Sequence, residues 1–140
     1  MCTKLRVYNG GVAVLEGSMP ILLSVDSETR RVYAIAMGTM TFEDICNHLM
    51  LERKMHGLSY PEFVDARGAG IQLSPADVRA ILQILRRLAL ETKLGATAVV
   101  VSTDVAFGVM RMLETLTEDV CEIKPFRDEQ AAQKWLDAWP

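Results

Sequence analysis

The side chains best placed for chemistry in this sequence follow two apolar runs that we predict to be strands. The first group lies between a predicted strand at 62–66 and a helix that begins at Pro75. The second group directly follows the apolar run 96–101. Open α/β folds build binding sites at the carboxyl ends of parallel strands, so we predict that both groups share one recognition edge. The residues of this predicted recognition edge are Arg67, Gly68, Gly70, Ser74, Ser102, Thr103 and Asp104.

Ser74 has both a chemical and a structural interpretation. Its hydroxyl is a possible phosphoacceptor at the start of a helix. It is also a good N-cap, with Pro75 at the first helical position and Asp77 at the third. The cap is complete without phosphate, and Asp77 would repel the roughly −1.5 to −2 charge that a phosphate adds. We therefore favour a cap.

The segment containing Gly68 and Gly70 is glycine-rich enough to be compared with phosphate-binding loops. The dinucleotide-binding pattern would require a third glycine at the position of Leu73. Without that glycine, the pair more simply indicates a tight turn in which glycine adopts positive φ. We predict such a turn after the strand.

Ser102, Thr103 and Asp104 could belong to a nucleophilic triad only if a histidine served as their base. Both histidines, His48 and His56, come earlier, in the region of the first helix and without the i, i+4 spacing of metal ligands. We interpret the polar cluster as a helix cap and the histidines as a solvated helix face. An enzyme that pairs Asp65 or Asp104 with a histidine is our weakest hypothesis, so we expect no catalytic residue, metal site or cofactor.

Composition narrows the class of protein. The chain has 140 residues, half of them hydrophobic, and a net charge of −3. A single domain with a sizeable core is expected, and a nucleic-acid partner is not, because such proteins usually present a basic surface. The three cysteines are far apart and show no metal-ligand spacing, which is typical of a reducing cytoplasm. No signal peptide or membrane span is expected.

The elements that position these residues begin with strands. Three apolar stretches at 5–15, 21–25 and 31–37 are separated or interrupted by the turn signals Asn9-Gly10-Gly11 and 26–30. Helices and strands alternate from Thr41 to the last helix, which implies parallel pairing. The predicted fold is therefore α/β, with a mixed sheet that is antiparallel in its amino-terminal strands and parallel in its carboxyl-terminal strands, flanked by about four helices.

The run 31–37 also predicts which side chains are buried. Its residues alternate, so one set faces one side of the sheet and the other set faces the opposite side. The two predicted sets are Val32, Ala34 and Ala36, and Tyr33, Ile35 and Met37.

The third helix carries a candidate interface. Its predicted inner face carries Ala106, Val109, Met110 and Leu113, which leaves Phe107 and Arg111 one turn apart on another face. Aromatic residues and arginine are enriched at interface centres. We predict a homodimer with its contact at this helix or at the 102–107 loop.

Segments 64–78, 99–112 and 125–136 together resemble bacterial proteins of the SpoIIAA-like, or STAS/SEC14-type, superfamily. The resemblance implies a compact α/β domain with a mixed sheet flanked by helices. Its better-understood members are anti-sigma-factor antagonists, which bind a kinase and are switched by phosphorylation of a serine in an Asp-Ser-Ser-Gly motif. The matching stretch here, 73–76, reads Leu-Ser-Pro-Ala, so the phosphoswitch is not carried over.

These observations lead to one function and one alternative. The first is a non-catalytic regulatory or protein-interaction module of the STAS type that binds a protein partner or a second copy of itself. The alternative is a carrier of a lipid or another small apolar ligand, with a pocket between helices and sheet. A core that is packed without a cavity would count against the carrier.

Overall fold

The structure is a computed structural model that describes residues 21–140 in full and residues 4–8 and 12–16 by their backbone. Within the described residues, seven strands form one sheet, and their order in the sheet is their order in the chain. Neighbours are antiparallel from the first strand to the fourth and parallel from the fourth to the seventh, which confirms the predicted mixed sheet. The predicted turn at Asn9-Gly10-Gly11 lies outside the described residues. The strands are β1 (Lys4–Tyr8), β2 (Val12–Glu16), β3 (Ile21–Asp26), β4 (Arg31–Met40), β5 (Glu62–Ile71), β6 (Thr97–Val100) and β7 (Ile123–Phe126).

Four helices follow the strands from β4 onward, as predicted. Each begins after a residue whose side-chain oxygen accepts a hydrogen bond from a backbone N–H of the first turn. These caps satisfy N–H groups that have no partner within the helix. The caps are Thr41, Ser74, Thr103 and Asp128, and the helices are α1 (Phe42–Lys54), α2 (Pro75–Glu91), α3 (Asp104–Leu116) and α4 (Glu129–Ala138).

The sheet separates two layers of helices. In β6, Val99 packs with α2 and α3, whereas its neighbours Ala98 and Val100 pack with α4 on the opposite face. In β3 and β4, Leu23 and Val32 pack under α1. Helices α1 to α3 therefore cover one face, and α4 covers part of the other.

The alternation predicted for β4 is confirmed. One set of β4 side chains is buried and the other set is exposed to solvent. The exposed set lies on the face of the sheet that carries α4, in a part that α4 does not cover. The buried set is Val32, Ala34 and Ala36, and the exposed set is Tyr33, Ile35 and Met37.

The predicted glycine loop after β5 is wrong. Gly68 and Gly70 lie within β5, where they pair with Met37 and Thr39 of β4. The strand continues because β4 is itself long and supplies partners up to Ile71, with a register shift of the kind that a β-bulge produces. Neither glycine has positive φ; among the described glycines that conformation belongs to Gly38, at 75°.

Within the described part of the chain, every helix is too short or too polar to cross a membrane.

Candidate ligand-binding site

A cavity of about 150 Å³ lies between the sheet and helices α1 to α3. Most of its wall is aliphatic, and the lining residues come from strands β3 to β7, from helices α1 to α3 and from the segments between them. An apolar cavity of about this size accepts a guest the size of benzene. The core on this face of the sheet therefore leaves room for a small molecule. Representative wall residues are Met40, Ile45, Ile81, Leu85 and Met110.

Three ionisable side chains, His48, Glu52 and Glu62, line one end of the cavity. His48 and Glu52 are four residues apart in α1, so they project from the same face of the helix. Glu62 is the first residue of β5 and pairs in register with Val32 on one side and Thr97 on the other. The polar end of the cavity therefore lies at the amino ends of the parallel strands.

The imidazole of His48 lies between the two carboxylates. Its Nε2 is 2.7 Å from Oε2 of Glu62 and 3.6 Å from Oε2 of Glu52. The His48 side chain is only 10% exposed and each glutamate side chain only 6%. The shorter contact has the length of a charge-assisted hydrogen bond, so Glu62 fixes the orientation of the ring.

The other ring nitrogen of His48, Nδ1, is buried and has no hydrogen-bond partner among the described residues. A neutral ring with its proton on Nε2 leaves Nδ1 as an acceptor without a donor, and a charged ring leaves it as a donor without an acceptor. An unpaired buried polar group costs about 1–3 kcal/mol. His48, which helps to line the cavity, thus carries one buried polar atom that the described residues do not satisfy.

Acidic side chains outnumber basic side chains at this end of the cavity. Burial raises the pKa of Glu52 well above its usual range, and the nearby carboxylate of Glu62 raises that pKa further. The described residues that line the cavity include neither lysine nor arginine. Burial also raises the pKa of the Cys121 thiol in the same wall to about 11, so Cys121 is protonated at neutral pH. Two carboxyl groups therefore lie beside one imidazole, and the rest of the cavity wall is mostly aliphatic.

The sequence interpretation of His48 as part of a solvated helix face is wrong, whereas His56 is exposed as expected. The local signal for this site is the spacing of His48 and Glu52, which are four residues apart in α1. The spacing between the two histidines does not contain that signal. The approach of Glu62 depends on how β5 pairs with its neighbours, and no local pattern contains that information.

The structure brings together two residues of the predicted recognition edge, Arg67 and Ser102. Ser102 donates a hydrogen bond to the carbonyl oxygen of Arg67 at 2.7 Å. The Arg67 guanidinium binds both carboxylate oxygens of Asp65, at 2.9 and 2.8 Å, and lies 3.5 Å from a carboxylate oxygen of Glu129. The hydrogen bonds from Arg67 lower the pKa of the Asp65 carboxyl, and the same carboxylate raises the pKa of Arg67. These polar groups satisfy one another rather than an open site.

Asp104 and Thr103 also have partners within the chain. Asp104 accepts a 2.6 Å hydrogen bond from Arg127, and Thr103 caps α3 through the N–H of Ala106. Asp65 and Asp104 are therefore paired with arginines rather than with a histidine. Ser74 lies further along, at the start of α2, while Gly68 and Gly70 belong to β5.

The proposed pairing of Phe107 and Arg111 as an exposed interface is wrong in its details. Phe107 is half-buried and packs against the main core, and the Arg127 guanidinium lies 4.7 Å from the centre of its ring. Arg111 is exposed and pairs with Glu114 at 3.3 Å. The aromatic side chain turns inward because α3 packs closely on β7. The predicted homodimer remains a prediction.

We expect replacement of Ser74 by alanine to lower the free energy of unfolding by about 0.5–2 kcal/mol. Ser74 Oγ accepts the N–H of Asp77 at 3.0 Å, and Asp77 accepts the N–H of Ser74 at 2.9 Å, so alanine removes one half of a reciprocal cap. Ser74→Asp should be nearly neutral, because aspartate caps equally well. Urea unfolding of the three proteins measures this. An aspartate variant as unstable as the alanine variant would contradict the cap.

Comparison with known proteins supports the architecture. No family model and no curated protein matches the chain. Among solved structures, it is similar to an uncharacterised protein of the DUF3478 family with a SpoIIAA-like fold from Shewanella loihica PV-4. That match has a TM-score of 0.52 and 20% identity and covers 83% of this chain and 93% of the other. The chain therefore has the SpoIIAA-like α/β fold that its sequence resemblance implied.

Proposed function

We propose that this protein binds a small, largely apolar molecule in the cavity between the sheet and helices α1 to α3, without carrying out a reaction on it. The observation that supports this most directly is the cavity itself, which His48 helps to line and whose wall is mostly aliphatic. The buried Nδ1 of that histidine has no hydrogen-bond partner among the described residues. A regulatory module was the first expectation from the sequence, and a carrier was the alternative. The cavity reverses that order, because a core packed without one was the outcome that would have counted against a carrier.

Cavity size limits the class of ligand. About 150 Å³ suits a single ring or a short branched chain. Pockets for drug-sized molecules are larger, at about 300–1,000 Å³. We therefore propose a ligand smaller than a diacyl lipid.

The His48–Glu62 pair limits the polar part of the ligand. In the protein without metal, we assign the Nε2 proton to the hydrogen bond with Glu62, which leaves a lone pair on Nδ1. That lone pair accepts a hydrogen bond from a hydroxyl or N–H group. The ligand class is thus a small apolar molecule with one hydrogen-bond donor.

Thermal unfolding with two probes, benzene and phenol, tests this proposal. The untagged protein in EDTA is unfolded with each probe at the same concentration. Both should raise the Tm, since a ligand that binds only the folded state stabilises it by about 2.7 kcal/mol at 100 times its Kd. Phenol should raise the Tm by about 2–4 °C more, because its extra hydrogen bond contributes about 1 kcal/mol.

Three variants show where the probes bind. Ala36→Leu places three additional carbons against the cavity and should abolish both responses, and Ala66→Leu does the same if the first variant fails to fold. His48→Phe should abolish only the advantage of phenol. Ala131→Leu, on the exposed side of α4, should behave as the wild type. The proposal is wrong if neither probe stabilises the wild type, or if the cavity-filled variants respond as it does.

A protein-interaction role is the second candidate, and the uncovered part of the α4 face favours it. Leu22 and Ile35 form a cross-strand pair there, with Tyr33 and Met37 beside them. Their exposures are 38% for Leu22, 42% for Tyr33, 48% for Ile35 and 61% for Met37. Contiguous exposed apolar side chains often mark contact sites, and a twofold dimer would use the same patch on both copies. We propose this face, rather than α3, as the contact of a homodimer in the cytoplasm.

Sedimentation at several concentrations tests the dimer. Ile35→Glu should shift the protein to monomer. Leu90→Glu is the matched control, because Leu90 is an equally apolar residue that is 89% exposed on α2. A wild type that sediments as a monomer, or a dimer that survives Ile35→Glu, would exclude this interface.

A further inference from the structure

The polar end of the cavity contains two acidic side chains and one basic side chain. If both glutamates are ionised, even a protonated His48 leaves a net charge of −1 there. A buried ion without adequate compensation costs several kcal/mol, so such groups are normally paired, protonated or bound to a metal. His48 is the ion-pair partner that the described residues offer to Glu52 and Glu62. A cation from solution would remove the imbalance.

The donor atoms are arranged closely enough to share one ion. One atom each from His48, Glu52 and Glu62 lie within 4.8 Å of one another. The 3.6 Å between Nε2 of His48 and Oε2 of Glu52 is close to the roughly 3.4 Å expected between two ligands of a tetrahedral zinc ion. The 2.7 Å contact with Glu62 is shorter and would lengthen by several tenths of an ångström when a metal replaces the shared proton.

We infer that His48, Glu52 and Glu62 form a divalent-cation site, and that zinc is the ion that its ligands match best. One imidazole and two carboxylates are typical zinc ligands, and three protein ligands leave a fourth position open. All three side chains line the cavity, so the open position is available to a molecule bound there. This inference concerns an ion and stands apart from the small-molecule proposal.

Metal binding has a consequence for the protons at the site. A ligating Nε2 must give up its proton, and the proton of the neutral ring then lies on Nδ1. Binding therefore releases the proton shared with Glu62 and any proton on Glu52. It also changes Nδ1 from an acceptor into a donor, so the zinc form should prefer a ligand that carries an acceptor.

Equilibrium dialysis with zinc tests the site. The untagged full chain, stripped with EDTA and then freed of it, should retain one zinc ion per chain. Cobalt should give the visible absorption of a tetrahedral nitrogen and oxygen site, with no sulfur-to-metal charge-transfer band. Loss of a ligand in Glu52→Gln, Glu62→Gln or His48→Ala should weaken zinc binding by at least about 100-fold, because removing a group that only hydrogen-bonds to a metal ligand already costs up to about 100-fold.

Matched controls and opposite outcomes make the test decisive. His56→Ala and Glu118→Gln replace exposed residues of the same types and should bind zinc as the wild type does. Glu52→Gln is nearly isosteric and removes a buried charge, so it should fold even if another variant does not. Absence of binding at millimolar zinc, binding unchanged in Glu52→Gln, or a sulfur band from the cysteines would each overturn the inference. No organic probe is present, so this result is separate from the benzene and phenol assay.

Discussion

Replacing Gly95 by alanine is expected to destabilise the protein by about 3 kcal/mol or more. Gly95 donates its N–H to the carbonyl of Leu58 at 2.9 Å, and an added Cβ would overlap the Tyr60 carbonyl and lie 3.0 Å from the nitrogen of Pro61. Every one of these contacts is with backbone, which cannot move aside as a side chain does. Overpacking usually costs about 1–3 kcal/mol, and a backbone overlap belongs at the upper end or beyond. Urea unfolding measures the change.

Gly108 is the matched control for this prediction. It lies on the exposed surface of α3, and a Cβ added there would meet nothing within 4 Å. Gly108→Ala should therefore stabilise the protein by about 0.5–1 kcal/mol, because alanine is the better helix former. Opposite signs at the two glycines would show that close packing of segment 58–61 against Gly95 holds the start of β5. Similar small effects at both would contradict that packing.

Replacing Glu52 by glutamine is expected to stabilise the metal-free protein at pH 8 by about 1–3 kcal/mol, the order of cost that burial imposes on an unsatisfied group. The pKa of Glu52 is raised in the folded state by burial and by Glu62, so folding is favoured by its protonation. Its contribution is fully present below the unfolded pKa of about 4.3 and is lost as pH rises through the raised folded pKa. Glutamine is neutral at every pH in this range, so the variant loses no stability through ionisation at position 52.

The measurement is urea unfolding of both proteins in EDTA between pH 5 and pH 8. The advantage of Glu52→Gln should be small at the acidic end and grow toward the alkaline end. Asp26 and Asp65 have lowered pKa values, so their contributions are lost only as pH falls, below this range. Glu118→Gln makes the same replacement at an exposed position and is the matched control. Parallel curves for Glu52→Gln and the wild type would show that Glu52 is not a buried acid.

Much of the fold could be predicted from local sequence signals. The caps at Thr41, Ser74 and Asp128 mark helix starts through the chemistry of their own side chains. The alternation in β4 separates buried from exposed residues because side chains in a strand point to opposite faces in turn. Such signals depend only on residues a few positions apart.

The candidate site could not be predicted in the same way. The continuation of β5 through Gly68 and Gly70 depends on the length of β4, which overrides the preference of glycine for turns. The meeting of His48 with Glu62 requires α1 to lie over the amino end of β5, and the cavity results from how three helices pack. Open α/β folds usually bind ligands at the carboxyl ends of their parallel strands, so the sequence prediction placed the site there. In the structure, Arg67 is paired with Asp65 and Asp104 is paired with Arg127 at those ends.

A crystal structure of the metal-free protein soaked with phenol would test the central claim most directly. We predict that the ring occupies the cavity between the sheet and helices α1 to α3, with the phenol oxygen within hydrogen-bond distance, about 2.7–3.2 Å, of Nδ1 of His48. Phenol density elsewhere on the protein with an empty cavity, or a core that has closed over the space, would contradict the proposed function.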